Sequence, residues 1–104
     1  ISISEAFGNF SNLTELYLSN NRLSDLPASL NQLQNLRVLR VNNNYLTQAP
    51  KNLLKLNNLE NIDISSNMLT ELPEEVEGLN HLKLLVIMNN PWDQQSKERL
   101  PSFT

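Results

Sequence analysis

Cysteine is absent from this sequence of 104 residues. Its absence excludes disulfide bridges, thiolate zinc sites and cysteine nucleophiles. The chain has only two glycines and one histidine, too few for a glycine-rich phosphate loop or for a zinc site with paired histidines. No GxSxG motif surrounds any of the serines. The usual parts of an active site are therefore missing, and we expect a protein that is not an enzyme and holds no cofactor or metal.

A strong charge of one sign and a long apolar run are missing as well. The net charge is −3, and no basic cluster of the kind that binds nucleic acid stands out. No apolar run approaches the ~18 residues that are needed to span a bilayer, and no signal peptide is visible. We therefore expect neither nucleic-acid binding nor membrane insertion. Since a cysteine-free fold tolerates either redox environment, a cytoplasmic and a secreted location both stay open.

What the sequence does contain is one pattern that recurs every 23 residues. Within each unit two apolar residues alternate with other side chains, which places both on one face of a short strand. One strand cannot bury that face alone, so successive units are expected to stack into a parallel sheet over one continuous core. The columns with this spacing are Leu13, Leu36, Leu59 and Leu82; Leu16, Leu39, Ile62 and Leu85; Leu18, Val41, Ile64 and Ile87; and Asn21, Asn44, Asn67 and Asn90.

The same register divides the chain, which we expect to form a single domain. It comprises a half-repeat (1–11), three full repeats (12–34, 35–57 and 58–80), a last strand segment (81–92) and a C-terminal cap (93–104). Strands are predicted near 16–18, 39–41, 62–64 and 85–87, with little regular helix before residue 93. In the cap, Trp92 is predicted to cover the last turn, Asp93 to cap a short helix, and Leu100 and Phe103 to fold back onto the core.

Each repeat carries two motifs. The first half reads LTELYLSNNRL, LRVLRVNNNYL and LENIDISSNML in successive repeats, and the second half reads LPASLNQLQ and LPEEVEGLN in two of them. These segments resemble the leucine-rich-repeat consensus LxxLxLxxNxL and the LPxxIxxLxx half of its 23-residue subclass, which occurs in Ras-suppressor-type proteins and many bacterial repeat proteins. The resemblance implies an α/β solenoid, a short right-handed horseshoe arc with a parallel sheet on its concave side and a mostly irregular convex side. It also implies an asparagine ladder through the stack, and the high asparagine content favours a bacterial source.

Charged residues are sorted by repeat. Residues 35–57 carry only bases and residues 58–80 only acids. Strand neighbours lie ~4.8 Å apart, so opposite charges one repeat apart can attract each other. The pattern therefore predicts either pairing between repeats or separate partner-binding patches. The pairs one repeat apart are Arg37 with Glu60, Arg40 with Asp63, and Lys51 with Glu74.

The side chains that alternate with the consensus leucines are expected on the concave face and are the candidate partner-binding residues. Tyr17, Arg40 and Tyr45 are anchors of the type enriched in binding hot spots. Leu84, Val86 and Met88 form an apolar patch, which either marks a contact site or is covered in part by the C-terminal tail. The predicted set is Glu15, Tyr17, Arg22, Val38, Arg40, Tyr45, Asp63, Leu84, Val86 and Met88, and Ser19, Asn42 and Ser65 are expected to point the same way.

The sequence thus predicts a non-catalytic protein–protein interaction module that binds a partner through the concave sheet. Two alternatives stay open. The chain could associate with itself, because its N-terminal end lacks a lid comparable to the C-terminal cap. It could also be the targeting part of a larger bacterial effector, since some bacterial leucine-rich-repeat proteins carry a separate ubiquitin-ligase domain with a catalytic cysteine.

Overall fold

Four short strands and one short α-helix make up the regular structure of the residues that the computed structural model describes, which are 12–26, 28–49, 54 and 56–99. Two 3-10 helices lie between strands, and the described chain contains no α-helix before residue 93, as predicted. The strands are β1 (Glu15–Tyr17), β2 (Val38–Arg40), β3 (Asn61–Asp63) and β4 (Leu84–Val86), the α-helix is α1 (Gln94–Arg99), and the 3-10 helices are Ala28–Gln32 and Glu74–Gly78.

Each strand lies one residue earlier than the sequence predicts. β1, for example, ends at Tyr17 rather than at Leu18, although the N–H of Leu18 still bonds to the carbonyl of Arg40 at 2.8 Å. Two residues later, Asn20 has a positive φ of 61°, which is incompatible with extended strand. The third apolar residue of the repeat is therefore the place where the chain leaves the strand and begins its turn.

The strands form one parallel sheet in the order β1-β2-β3-β4. Each pairing is offset by one repeat, so that Leu16 lies opposite Leu39, Leu39 opposite Ile62, and Ile62 opposite Leu85. Adjacent strands therefore pair with an offset equal to the 23-residue period of the sequence. Strands of three residues are not stable alone, and each repeat depends on the neighbours against which it stacks.

A core of leucine, isoleucine and valine side chains lies behind the sheet. The central residue of every strand is buried, while its two neighbours are exposed or half-buried. Burying one such side chain stabilises the fold by roughly 1.5–3 kcal/mol. Ala49, which replaces a leucine in the second repeat, is also buried. The fully buried side chains are Leu30, Leu33, Leu36, Leu39, Leu46, Leu54, Leu59, Ile62, Ile64, Leu69, Val41 and Val76.

The repeated asparagines form the ladder that the family resemblance implies. Asn44 accepts a hydrogen bond from the N–H of Leu23 at 3.1 Å and donates to the carbonyls of Leu18 and Val41, both at 2.9 Å. The asparagines one and two repeats later make the same three kinds of bond. One amide thus joins two repeats, because it supplies two donors and an acceptor to backbone groups inside the turn.

The turn after each strand contains a residue in the left-handed conformation. Asn20, Asn43 and Asn89 have φ of 61°, 59° and 61°, and Ser66 has φ of 56°. Asparagine tolerates this region better than most residues with a side chain, which explains a second asparagine in three of the four turns. The high asparagine content therefore has two structural causes, the ladder and the turns.

Trp92 closes the C-terminal end of the stack. The carbonyls of Leu18, Val41 and Ile64 each receive a hydrogen bond from the ladder asparagine of the following repeat. The corresponding carbonyl of the last repeat, that of Ile87, instead accepts the indole N–H of Trp92 at 2.8 Å. The Trp92 side chain is buried, and it covers the last turn as predicted.

Helix α1 packs against the segment that follows β3. Asp93 accepts the backbone N–H of Ser96 at 2.8 Å and so caps the helix as predicted. This hydrogen bond lowers the pKa of the Asp93 carboxyl, because it stabilises the charged form. The hydroxyl of Ser96 in turn accepts the N–H of Leu72 at 2.8 Å. The predicted contacts of Leu100 and Phe103 lie outside the described residues.

Candidate protein-binding face

The outward side chains of the strands form one surface, which we call the open face. Seven of the ten predicted residues lie in its two strand columns, and Arg22, Tyr45 and Met88 lie exposed in the turns that follow the strands. The register of the sheet holds each column together, with neighbours on adjacent strands. The open face comprises the columns Glu15, Val38, Asn61 and Leu84, and Tyr17, Arg40, Asp63 and Val86, together with the turn residues Arg22, Tyr45, Met68 and Met88.

The open face is most exposed along its outer strands and turns. Tyr17 on β1 and Leu84 on β4 are 54% and 46% exposed, whereas the outward residues of β2 and β3 are half-buried. In the turns, Tyr45 and Met88 are 55% and 63% exposed. Large side chains with this much surface in solvent are available for contact with a partner.

At the β1 end of the open face, three side chains form a connected cluster. The hydroxyl of Tyr17 donates a hydrogen bond to Glu15 Oε1 at 2.8 Å, and Cζ of Arg40 lies 5.3 Å from the centre of the Tyr17 ring, within reach of a cation–π contact. The hydrogen bond to Glu15 raises the pKa of Tyr17, because the carboxylate accepts from the neutral phenol and disfavours its ionisation. The cluster therefore places the Arg40 guanidinium over a flat ring.

The ion pair beside the open face differs from the predicted one. Glu60 pairs with Lys83, at 3.5 Å between Nζ and Oε1, and not with Arg37. Arg37 lies one repeat before Glu60 and Lys83 lies one repeat after it. The prediction that Glu60 pairs with a base one repeat away is therefore right, but the predicted base is the wrong one. Lys83 is 78% exposed and pairs at little cost in desolvation, and such an exposed pair contributes ~0–1 kcal/mol. The predicted pair of Lys51 with Glu74 involves a residue outside the described ones.

The pairing predicted for Arg40 is wrong as well. Arg40 contacts the Tyr17 ring, and Asp63 Oδ1 accepts the N–H of Ser65 at 3.0 Å and its hydroxyl at 2.6 Å. Both donors of Ser65, two residues away, already satisfy this carboxylate, and the arginine contacts the tyrosine ring instead. Ser65 itself is buried, with 8% of its surface exposed, although its hydroxyl reaches Asp63 of the open face.

Two residues of the open face are missing from the predicted set. Met68 is 53% exposed and stands one repeat after Tyr45, so the column spacing places it on this face. Asn61 has a buried Oδ1 for which no hydrogen-bond partner exists among the described residues. Its column neighbours are Val38 and Leu84, whose side chains offer no donor. Asn61 Oδ1 lacks a donor because both of these neighbours are apolar, and no sequence motif indicates such a position.

The β4 end of the open face is apolar. Leu84 and Met88 are exposed, Val86 is half-buried, and Met68 lies exposed in the preceding repeat. The described part of the tail packs against the segment after β3 through its buried serine and leaves these side chains in solvent. The alternative that the tail covers the patch therefore does not hold for residues 93–99, and residues 100–104 lie outside the described ones.

A polar groove runs along the edge where the strands begin. It offers amide, hydroxyl and charged groups, and His81, which is exposed there, has no second histidine beside it. Across the described ranges, no group of three histidine, aspartate or glutamate residues is placed to hold a metal ion, and no helix is long and apolar enough to cross a membrane. The groove is lined by Asn12, Thr14, Asn35, Arg37, Asn58, Glu60 and His81.

Comparisons with known proteins agree with this geometry. A family model described as leucine rich repeat matches residues 34–91, and one described as leucine rich repeats (2 copies) matches residues 11–55. The solved structure of a leucine-rich-repeat protein of Leptospira interrogans is similar, with a TM-score of 0.88 and 35% sequence identity over 96% of this chain. The chain spans 26% of the length of that protein. Among curated proteins, no sequence matches.

The fold and the family follow from these observations together. Four parallel strands form an open sheet in repeat register, and buried asparagines join each repeat to the next. The fold is therefore a leucine-rich-repeat solenoid, as the sequence predicts. This chain belongs to the leucine-rich-repeat family.

Proposed function

We propose that the chain is a non-catalytic protein–protein interaction module that binds its partner through the open face, the concave side of a leucine-rich-repeat arc. Domains of this family are generally protein-interaction modules. One observation carries the proposal. Every large hydrophobic side chain that is exposed in the described chain belongs to the open face; these are Tyr17, Tyr45, Met68, Leu84 and Met88.

The chemistry of the open face also suits a protein partner. Its tyrosines and Arg40 are of the residue types that dominate binding energy in protein interfaces. Its methionines are flexible and polarisable, so they adapt to the shape of an apolar partner surface. The proposed contact set is therefore the ten predicted residues together with Met68.

Three finer assignments belong to the same proposal. We infer that the chain is of the 23-residue subclass, which the offset of all three strand pairings supports. We keep the division into a half-repeat, three repeats, a last strand segment and a cap. A bacterial source is supported by the similarity to the Leptospira interrogans protein.

Affinity capture from lysates of the source and of a host tests the proposal. A protein that binds the wild-type chain should bind an Arg40→Ala/Tyr45→Ala double variant at least tenfold more weakly. The matched control is Gln48→Ala/Glu71→Ala, which alters two exposed residues in the segments that leave the sheet and should bind like wild type. Equal binding by both double variants would reject the open face as the contact site.

Self-association is the second role to separate in solution. The apolar β4 end could also contact another copy of the chain, and the predicted route through residues 1–11 lies outside the described residues. Light scattering on the purified chain at several concentrations measures its mass directly. A constant monomer mass would leave binding to a different protein as the function, whereas a dimer that Met88→Glu dissociates would favour self-association.

A further inference from the structure

We propose that the open face recognises an acidic–apolar segment of its partner, in which a carboxylate and an apolar side chain stand three positions apart. This inference rests on the proposed function and adds the chemistry of the partner to it. It is drawn from a comparison of the charged groups on the open face: the carboxylates have hydrogen-bond or ion-pair partners within the described chain, whereas the arginines have no carboxylate there.

The carboxylates on and beside the open face already have partners. Glu15 accepts the hydroxyl of Tyr17 at 2.8 Å, and Asp63 accepts the hydroxyl of Ser65 at 2.6 Å. Glu60, at the edge of the sheet, lies 3.5 Å from a lysine ammonium. A basic partner segment would have to compete with these contacts, so the acidic groups of the face offer it little.

The arginines on this side of the molecule are different. In the described parts of the chain, no carboxylate oxygen lies within 4.0 Å of the guanidinium of Arg22, Arg37 or Arg40. Arg40 is half-buried in the middle of the open face and is held against the Tyr17 ring at 5.3 Å. A half-buried guanidinium that lies over an aromatic ring and has no carboxylate beside it can bind a partner carboxylate through two parallel hydrogen bonds.

One residue of the apolar patch, Val86, lies in the same column as Arg40. Val86 is two strands away from Arg40, which corresponds to ~10 Å at ~4.8 Å per strand. Leu84 and Met88 flank Val86 and are 46% and 63% exposed. A polyproline II segment has three residues per turn and rises ~3.1 Å per residue, so residues three positions apart share a face at ~9 Å. A segment that crosses the strands can therefore place a carboxylate at Arg40 and an apolar side chain on the patch.

The chain itself carries an exposed pair at this spacing, Met68 and Glu71. Its acidic 3-10 helix, Glu74–Gly78, supplies no further pair, because Val76 stands only one or two positions from the acids and is 2% exposed. Because Met68 lies on the open face and so belongs to the receptor side of the contact, we assign the segment to a different protein, with light scattering on the purified chain as the test against a second copy.

Selection from an unbiased phage-displayed library of twelve-residue peptides tests the inference. Peptides are selected on the wild-type chain and then screened for loss of binding to Arg40→Ala. We expect the peptides that depend on Arg40 to carry aspartate or glutamate three positions from leucine, isoleucine, methionine or phenylalanine. Synthetic copies should lose at least tenfold in affinity when the acid is replaced by its amide, and binding should weaken as sodium chloride is raised.

Two variants control for indirect effects of the substitution. Arg37→Ala removes an exposed arginine at the edge of the sheet and should leave peptide binding unchanged. Arg40→Lys keeps the positive charge but not the forked geometry, so it should restore only part of the affinity. Urea unfolding of each variant shows whether a loss of binding reflects a loss of fold.

The outcomes that overturn the inference leave the proposed function testable by affinity capture. Selected peptides that depend on Arg40 but are basic or uncharged would reject the acidic element. Apolar peptides that bind Arg40→Ala as well as wild type would show that the patch acts alone. If no selected peptide depends on the open face, the inference fails, and capture with the Arg40→Ala/Tyr45→Ala variant still decides whether a folded protein binds there.

Discussion

Asparagine has different roles at adjacent positions of one turn. Asn43 adopts a φ of 59° and lets the chain leave the strand, whereas Asn44 turns inward and bonds to backbone groups of two repeats. Asn21 occupies the same column one repeat earlier but is exposed, and it donates to the carbonyls of Leu18 and Ser19 in its own turn. The same residue type should therefore contribute very differently to stability.

Removal of the ladder amide should destabilise the central repeats. Asn44→Ala leaves the N–H of Leu23 and the carbonyl of Val41 without this partner, which we expect to lower the free energy of unfolding by about 1–3 kcal/mol. Asn21→Ala is the matched control, with an expected loss below ~0.5 kcal/mol, because water replaces its bonds. Urea titrations measure both values, and equal losses would contradict a structural role for the ladder.

Replacement of the unsatisfied acceptor should stabilise the sheet. Asn61→Val removes the buried Oδ1 that has no partner in the described chain and adds a β-branched side chain between Val38 and Leu84. We expect a gain of about 1 kcal/mol in the free energy of unfolding. Asn58→Val, at an exposed position on the sheet edge, should give no gain. A lower urea midpoint for Asn61→Val than for wild type would mean that the acceptor has a partner in solution.

Among the elements, the strands are too short to be stable alone and depend on neighbouring repeats. At the end of the stack no further repeat follows, so other side chains must cover the core and bond to the last backbone groups. At the C-terminal end the ladder would require one more asparagine to serve the carbonyl of Ile87. Trp92 supplies the missing N–H and at the same time fills the place of a consensus leucine, where its larger ring covers the last turn. A change at this residue should therefore have two separable costs, one polar and one apolar.

Trp92→Phe isolates the polar cost. The ring remains, but the carbonyl of Ile87 keeps only the longer bond from Asn90, at 3.2 Å. We expect a loss of about 1 kcal/mol in the free energy of unfolding. Trp92→Leu restores the consensus residue but removes both the N–H and the cover, so its loss should be greater. The interpretation fails if the phenylalanine variant is as stable as wild type or less stable than the leucine variant.

The cap of α1 should make stability depend on acidic pH. The folded pKa of Asp93 lies below its ordinary value of about 3.8, so its contribution is fully present above that value and is lost as pH falls through the folded pKa. Asp93→Asn keeps an N-cap acceptor but cannot titrate. Between pH 7 and pH 3, the melting temperature of wild type should therefore fall further than that of the variant. If the melting temperatures of wild type and Asp93→Asn fall by the same amount between pH 7 and pH 3, the Asp93 carboxylate is not the group responsible.

At the scale of the whole molecule, the size of the open face limits affinity. Four strands at ~4.8 Å and about six exposed residues per strand and turn at ~3.3 Å give a surface of roughly 19 Å by 20 Å, or about 400 Å². A standard specific interface uses ~800 Å² per partner. The open face alone is therefore too small for tight binding to a folded protein, although it suffices for a peptide segment.

An isolated monomer should consequently bind a folded partner weakly. We expect a Kd in the micromolar range or higher for contacts confined to the open face, with tighter binding only when residues outside it, further repeats or a second copy of the chain contribute. Calorimetry on a chain whose monomer mass has been verified measures this value. A nanomolar Kd that depends only on open-face residues would contradict the estimate of interface size.

The sequence by itself determined the solenoid, the register of the strands, the asparagine ladder and the cap by Trp92 and Asp93. A constant spacing permits this, because it forces equivalent residues of successive repeats to lie side by side, so that one column predicts its own neighbours. Most of the candidate face follows from the same alternation, and the repeat spacing also places Met68 in the column of Arg22 and Tyr45.

Only the tertiary structure decided which neighbour each side chain chooses within a column. Glu60 pairs with Lys83 rather than Arg37, Asp63 accepts hydrogen bonds from Ser65, and the buried Oδ1 of Asn61 has no partner within the described ranges. The repeat spacing places two or three possible interaction partners at similar distances from a side chain. Which of them forms the contact depends on side-chain length, burial and competing hydrogen-bond donors nearby. These small differences in energy do not follow the repeat, and among the described residues they leave the Arg40 guanidinium without a carboxylate within 4.0 Å.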